Sequence, residues 1–232
     1  MPPQPLSSVN KNAVVKWGTQ YAFERNPNLA ILAMRVIAGW AHADSFMQSV
    51  LIKMLGARAE PAARMFTALN SSNAKIDALS AVARSVLVPE NLEMFEAIMM
   101  VTRPAARARH RLAHDLWCYS DDLPDALLLL DATANFDFTL QQAIFRLQNP
   151  MVTLVEGRTA PTFPKDRVFV YRERDLEEIK DQVSNVGNFW ALFHDIAMLN
   201  PTLPVPNFRE LELEPQIKEA LARLRKQSGN AP

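Results

Sequence analysis

Cysteine, glycine and net charge are what this chain has least of. Cys118 is the single cysteine, so no intrachain disulfide can form, and a reducing, cytoplasmic setting is the expectation. Only 6 glycines stand against 10 methionines in 232 residues, a balance that favours helices over tight turns. There is no Gly-rich phosphate loop, no G-x-S-x-G, no H-E-x-x-H and no cysteine pair. Hydride transfer, P-loop nucleotide hydrolysis and zinc hydrolysis therefore lack their hardware, and no cofactor is expected. No apolar run approaches the roughly 18–20 residues that a membrane span needs, so no membrane partner is expected. Met1–Asn12 is polar and lacks the apolar core of a signal peptide. Lys plus Arg and Asp plus Glu both number 25, for a formal net charge of zero. That balance argues against general coating of nucleic acid but leaves room for a small local RNA site. The chain has no internal repeat and no low-complexity tract.

What is present is the makings of a core: 49% apolar and 22% charged residues. Residues 1–25 read as a polar arm. From Asn28 to about Leu55, Ala33, Ile37, Trp40, Met47, Leu51 and Met54 recur at helical spacing, with Gly56 as a stop. Pro61 can open a short helix to about Leu69, and Ser71 or Ser72 can cap the next, with Ile76, Leu79, Val82 and Val86 along one side. Pro89 opens another, which Thr102-Arg103-Pro104 kinks or restarts. The segment Ala105–Trp117 follows as helix. Ala126–Leu130 and Arg167–Tyr171 read as strands, Leu140–Leu147 fits either helix or strand, and Arg158–Lys165 reads as a loop. Asp175 caps a strong helix with Leu176, Ile179, Val183, Val186, Trp190 and Phe193 on one stripe. A proline-rich linker over 200–207 leads to a charged amphipathic helix over 215–227.

The chemistry is concentrated in Arg109-His110-Arg111-Leu112-Ala113-His114. Arginine holds phosphate with parallel N–H donors and keeps its charge, and histidine exchanges a proton near neutrality. The spacing alone carries little. With 17 Arg and 4 His in the chain, one fixed Arg–His offset arises about 0.3 times by chance. The surroundings carry more. From Ala97 to His114 there is no acidic residue but four Arg and two His, a concentrated positive segment suited to phosphate. A helical reading also puts Arg109 on the apolar stripe of Ala105, Leu112 and Leu116. The first long helix has Asp44 in its own stripe of Ile37, Trp40, Met47 and Leu51. Each charge is costly there alone, which predicts an Arg109–Asp44 ion pair.

The segment R-H-R-L-A-H-D-L-W resembles the signature of the HEPN superfamily: Arg, a polar residue, three more residues, then His, with an aromatic shortly after. The order upstream is similar too, with a long helix bearing Trp40 and Asp44, then a capped helix bearing Lys75. The resemblance covers roughly Asn28–Trp117, with Asp175–Leu199 as a further bundle helix. The strands flanking 133–165 resemble those of a group of uncharacterised bacterial members. One departure is Asp115, where the family often has a small residue such as Gly.

The resemblance implies a mainly α fold, a HEPN-like helical bundle with a small β insertion after the motif helix. The implied layout is an arm over 1–25, a domain over 26–200 with the insertion at about 124–172, and a linker and helix over 201–232. It implies a homodimer that brings two motif helices to one cleft, where a metal-independent endoribonuclease cuts RNA as a toxin or defence component, with an antitoxin or other protein partner. In that reading Arg109 and His114 are catalytic with His110 as the adjacent polar residue, and Arg103, Arg107, Arg111 and Asp44 support binding.

Blander readings stand beside these. Arg109 serves in a structural ion pair and His114 as a hydrogen-bonded helix end. Arg103, Arg107 and Arg111 form a solvated row. His110 and His114 share a helix face and could hold a metal, but no third ligand is evident, with Asp121, Asp122 and His42 the candidates. His194 and Cys118 read as structural. The alternative function is a non-catalytic HEPN-like module that binds RNA, a nucleotide or a protein.

Overall fold

A computed structural model describes residues 3–56, 59–148, 161–198, 200–205 and 208–229. It is mainly helical with one small antiparallel sheet. In chain order the elements are β1 (Gln4–Pro5), α1 (Leu6–Val9), β2 (Lys16–Trp17), α2 (Thr19–Arg25), α3 (Pro27–Leu55), α4 (Ala59–Ala68), α5 (Ser72–Val86) and α6 (Pro89–His114). Then come β3 (Leu116–Tyr119), β4 (Leu127–Leu130), α7 (Ala132–Gln148), a 3-10 turn at Lys165–Arg167, β5 (Val168–Tyr171), α8 (Glu173–Ala197), α9 (Arg209–Leu213) and α10 (Pro215–Ser228). The chain divides into two units, one of Met1–Arg35 with His110–Glu178, the other of Val36–Arg109 with Ile179–Pro232.

The first unit holds the sheet, in the order β1-β5-β4-β3-β2. Its centre is β4, four leucines buried on both faces, as a strand covered on both sides requires. Pairing sets Trp117, Leu129 and Phe169 across one row and Cys118, Leu128 and Val170 across the next. Leu6, Ala13, Cys118, Leu128, Leu130, Val168 and Val170 share one apolar cluster. An ion pair stands at each end of the β4–β5 pairing. Asp131 pairs with Arg167 at 3.0 Å beyond one end, and Asp125 pairs with Arg172 at 3.3 Å beyond the other. A slip of one residue would separate both pairs and turn the leucines over.

The second unit is helical. Its core is built on Trp190, Phe95, Phe193, Phe66, Met47, Leu51, Ile76, Leu79 and Ile98. Buried Thr102 accepts a hydrogen bond from Trp190 Nε1 at 3.0 Å and donates to the Ile98 carbonyl at 2.8 Å, so neither polar group is stranded. Buried Asn91 donates to the Leu203 carbonyl and accepts from the Val205 amide, which ties residues 203–205 down. Gly187 matters for close approach, since a Cβ there would lie 3.1 Å from His42 Nδ1.

Several expectations are corrected. The motif helix was expected to reach Trp117, but it ends at His114, and residues 116–119 form β3. Leu116 continues the helical stripe, yet pairing with β4 satisfies its backbone and buries Trp117 and Cys118. Residues 3–25 are not a free arm. They supply β1 and β2, the two outer strands, and helices α1 and α2, so the sheet draws on more of the chain than 124–172. Of the two expectations at Thr102-Arg103-Pro104, a restart is overturned, since α6 continues through Pro104. Residues 140–147 are helical within α7; of the loop expected over 158–165, residues 158–160 lie outside the described residues, 161–164 are loop, and Lys165 opens the 3-10 turn.

Candidate functional site

Helix α6 carries the positive segment because it has good helix formers and no glycine from Pro89 to His114. It stops where the Asp115 amide donates to the Arg111 carbonyl at 2.9 Å. In the sheet unit its last turn presents His110 and His114, both exposed, with ring centroids 4.5 Å apart and planes tilted by 45°. Four-residue spacing on a helix explains the juxtaposition.

Between them Arg111 turns to the sheet. Its guanidinium lies 4.5 Å over the Phe169 ring, a cation–π contact. Burial pushes the nearby Tyr171 phenol up to about 12, with Arg111 pulling in the opposite direction. Arg111 thus has a structural place against β5, not one in a solvated row.

Asp115 follows directly. Its Oδ1 accepts the Ala132 amide at 3.2 Å at the start of α7, while its Oδ2 is buried with no hydrogen-bond partner among the described residues. Burial raises its pKa above the usual carboxylate range. The Ala132 amide, Arg111 and His114 pull it down, and Asp131 pushes it further up. At Asp131 burial also pushes upward. It is outweighed by the Ala134 amide and Arg167, which leave that carboxylate below its ordinary range.

In the helical unit Arg109 is half-buried, and its Nε is buried without a hydrogen-bond partner among the described residues. The expected Arg109–Asp44 ion pair is absent. Asp44 pairs instead with Lys75 at 2.6 Å, with side-chain exposures of 30% and 18%, so this bond is largely shielded from water. Lys75 also lies 4.8 Å over the Phe66 ring. The α5 lysine reaches the carboxylate while its stem and charge rest on an aromatic, which explains why Asp44 needs no arginine.

The remaining candidates separate. Arg103 pairs with Asp77 at 3.3 Å on the surface, and Arg107 is exposed. Asp121 is engaged by Lys16 and Arg25, and Asp122 accepts the Val14 amide at 2.9 Å. Neither completes a histidine site, and no group of three or more His, Cys, Asp or Glu able to hold a metal occurs among the described residues. His42 lies against Phe46, and His194 sits 3.0 Å from Asp195. Cys118 is fully buried, and its thiol is pushed up to about 12 by burial, which makes it inert. A cleft of about 270 Å³ in the helical unit is lined by Met100, Pro104, Gln182, Gln216, Glu219 and Arg223 among others, and by none of the motif residues.

Sequence reasoning missed Lys75 as the partner of Asp44, and Phe169 and Tyr171 as the surroundings of Arg111. The clue to the first was a lysine near the start of a capped amphipathic helix. The second pair had no local clue. No helix among the described residues is long and apolar enough to cross a membrane. No protein-family model, curated protein or solved structure matches the chain.

Proposed function

We propose that this protein is a metal-independent endoribonuclease of the HEPN type. The observation that carries the reading is the exposed pair of imidazoles, His110 and His114, at 4.5 Å. Cleavage by a neighbouring 2′-hydroxyl needs one proton acceptor, one proton donor and charge stabilisation at phosphorus. A neutral imidazole takes the 2′-hydroxyl proton, and O2′ attacks the phosphorus. A protonated imidazole gives its proton to the departing 5′-oxygen, leaving a 2′,3′-cyclic phosphate. The HEPN resemblance gives Arg109 the part of the permanent positive charge at phosphorus. A cytoplasmic RNA substrate and a protein antitoxin belong to the same reading.

A second reading is a non-catalytic module that binds RNA, a nucleotide or a protein. It is favoured by the unbroken course of α6. Residues five apart on a regular helix point about 140° away from each other, so Arg109 and His114 do not share a face of α6. One experiment separates the two. The purified chain is incubated with RNA in excess EDTA, and the ends are analysed for cyclic phosphate. The nuclease reading expects cleavage that His114→Ala and His110→Ala each reduce by at least about 100-fold, with circular dichroism unchanged. Binding without cleavage, or cleavage that survives both changes, overturns it.

A further inference from the structure

Helix α7 has two apolar faces. One, carrying Ala134 and Phe138, is buried within the sheet unit. The other carries Phe136, Leu140, Ile144 and Leu147, which are 65%, 48%, 44% and 81% exposed. Spacings of four, four and three residues hold these side chains within an arc of about 80°. At about 200 Å² for a large side chain, they leave on the order of 400 Å² of apolar surface in water. That is a contiguous patch rather than scattered exposure.

We propose that this face is the docking surface for a second copy of the chain, with the two α7 helices packed antiparallel about a two-fold axis. The inference does not depend on the ribonuclease reading, and it places the copy interface on α7 instead of on facing motif helices. An isologous contact confronts a surface with itself, so it must contain no charge that meets its own image. Helix α7 has one acid, Asp137, and one base, Arg146, near opposite ends. An antiparallel pair centred between residues 141 and 142 sets Phe136 against Leu147 of the second copy. At 1.5 Å per residue it keeps the two Asp137 about 14 Å apart along the axis, and the two Arg146 likewise. Uncharged Gln141, Gln142 and Ala143 lie at the centre, where a small residue lets the backbones approach. The helix dipoles oppose, which is favourable. Both copies together bury roughly 800 Å² from the four side chains alone. That is the low end of interface sizes, the range of weak, reversible contacts. A lipid surface is the poorer occupant, because membrane-surface helices carry a Lys- and Arg-rich polar face and α7 has a single Arg and no Lys.

The test uses the full chain. Sedimentation equilibrium is expected to show a reversible dimer, and Leu140→Glu is expected to raise its dissociation constant by at least about 100-fold, since two charges then enter a desolvated contact. Under mild oxidation Ala143→Cys, near the two-fold, is expected to give a disulfide-linked dimer. Asp137→Cys is not, because bridged Cα atoms must lie within about 7 Å. Buried Cys118 stays out of both reactions. If Leu140→Glu fails to fold, the cysteine pair still decides. A monomer at about 100 μM, above the micromolar range that such a modest contact reaches, overturns the proposal. So does association unchanged by Leu140→Glu, or cross-linking at residue 137 as readily as at 143. Flotation of the monomeric chain with anionic vesicles would overturn it in favour of lipid. Loss or retention of RNA cleavage bears on none of these outcomes.

Discussion

In the helical unit the large apolar side chains that stay exposed are scattered, as with Met65 on α4, Leu203 in a turn and Leu213 at the end of α9. In the sheet unit four of them gather on one face of α7. The same chain therefore treats its surface in two ways, and the difference separates ordinary exposure from a patch that asks for a partner. The interiors differ as well. The helical unit is organised around interlocking aromatics, with Trp190, Phe95 and Phe193 ring to ring at 5.4–6.1 Å. The sheet unit is organised around uniform leucines, which specify little by shape, with ion pairs at both ends of β4 that would be separated by a slip in register. Packing by shape and pairing of charges are distinct devices, and they fail differently.

The largest expected effect is on packing. Trp190→Ala removes the centre of the aromatic cluster and the donor to Thr102, and costs about 3–5 kcal/mol in urea unfolding. A loss below about 1 kcal/mol would remove shape as the organising feature of the helical unit. Next, Asp44→Ala leaves the shielded Lys75 ammonium without its carboxylate and costs about 1–3 kcal/mol. A double-mutant cycle should show coupling of Asp44 with Lys75 and additivity of Asp44 with Arg109. The opposite pattern would restore the pairing expected from the stripes.

Smaller again is Arg172→Ala in the sheet unit. The Arg172–Asp125 pair is exposed, so its loss costs about 0.2–1 kcal/mol and is screened by salt. Its signature is register heterogeneity in the β4–β5 amide signals rather than a large shift in midpoint, and unaltered signals would show that the ends do not set register. The smallest effect is a slope. The folded pKa of Asp115 is raised, so folding binds its proton more tightly than the unfolded chain, whose ordinary value is 3.8. Its contribution is fully present below that value and is lost as pH rises through the folded pKa. Asp131, held low, behaves oppositely, and its contribution is lost as pH falls. Asp115→Asn should therefore remove a fall in stability on going up in pH from about 4, measured as wild-type minus variant unfolding free energy. A difference that does not change with pH would mean that Asp115 is not strained by burial.

The long helices were legible because burial writes a 3.6-residue period into a sequence, and α3, α5 and α8 keep it. Strands β4 and β5 were legible as short apolar runs between acidic, basic and turn residues. Strand β3 was not, because Leu112 and Leu116 are four apart and extend a helical stripe. Only the distant leucines of β4 make residues 116–119 extended. Two-residue strands such as β1 and β2 have no period to read. Helix α7 was ambiguous because Phe136 and Phe138 point to opposite sides and both are apolar, so neither template prevailed. At the candidate site the positive segment and the exposed histidines were visible in the sequence. The partner of Asp44 was not, since a stripe says which way a charge faces and not which cation reaches it first.

The acidic residues around β4 have a consequence during synthesis. Leu127–Leu130 leaves the ribosome soon after β3, with which it can form a hairpin, but its other neighbour β5 begins only at Val168. At about 5–20 residues per second, the outer edge of a four-leucine strand waits several seconds for that neighbour. An apolar β-prone run with one open edge is the kind of segment on which nascent chains pair with each other. Asp125 and Asp131 bracket the run, and until Arg172 and Arg167 are translated they are unpaired negative charges that repel another copy of the same edge. The carboxylates that pair with arginines in the finished sheet thus stand as like charges at the open edge of the unfinished one.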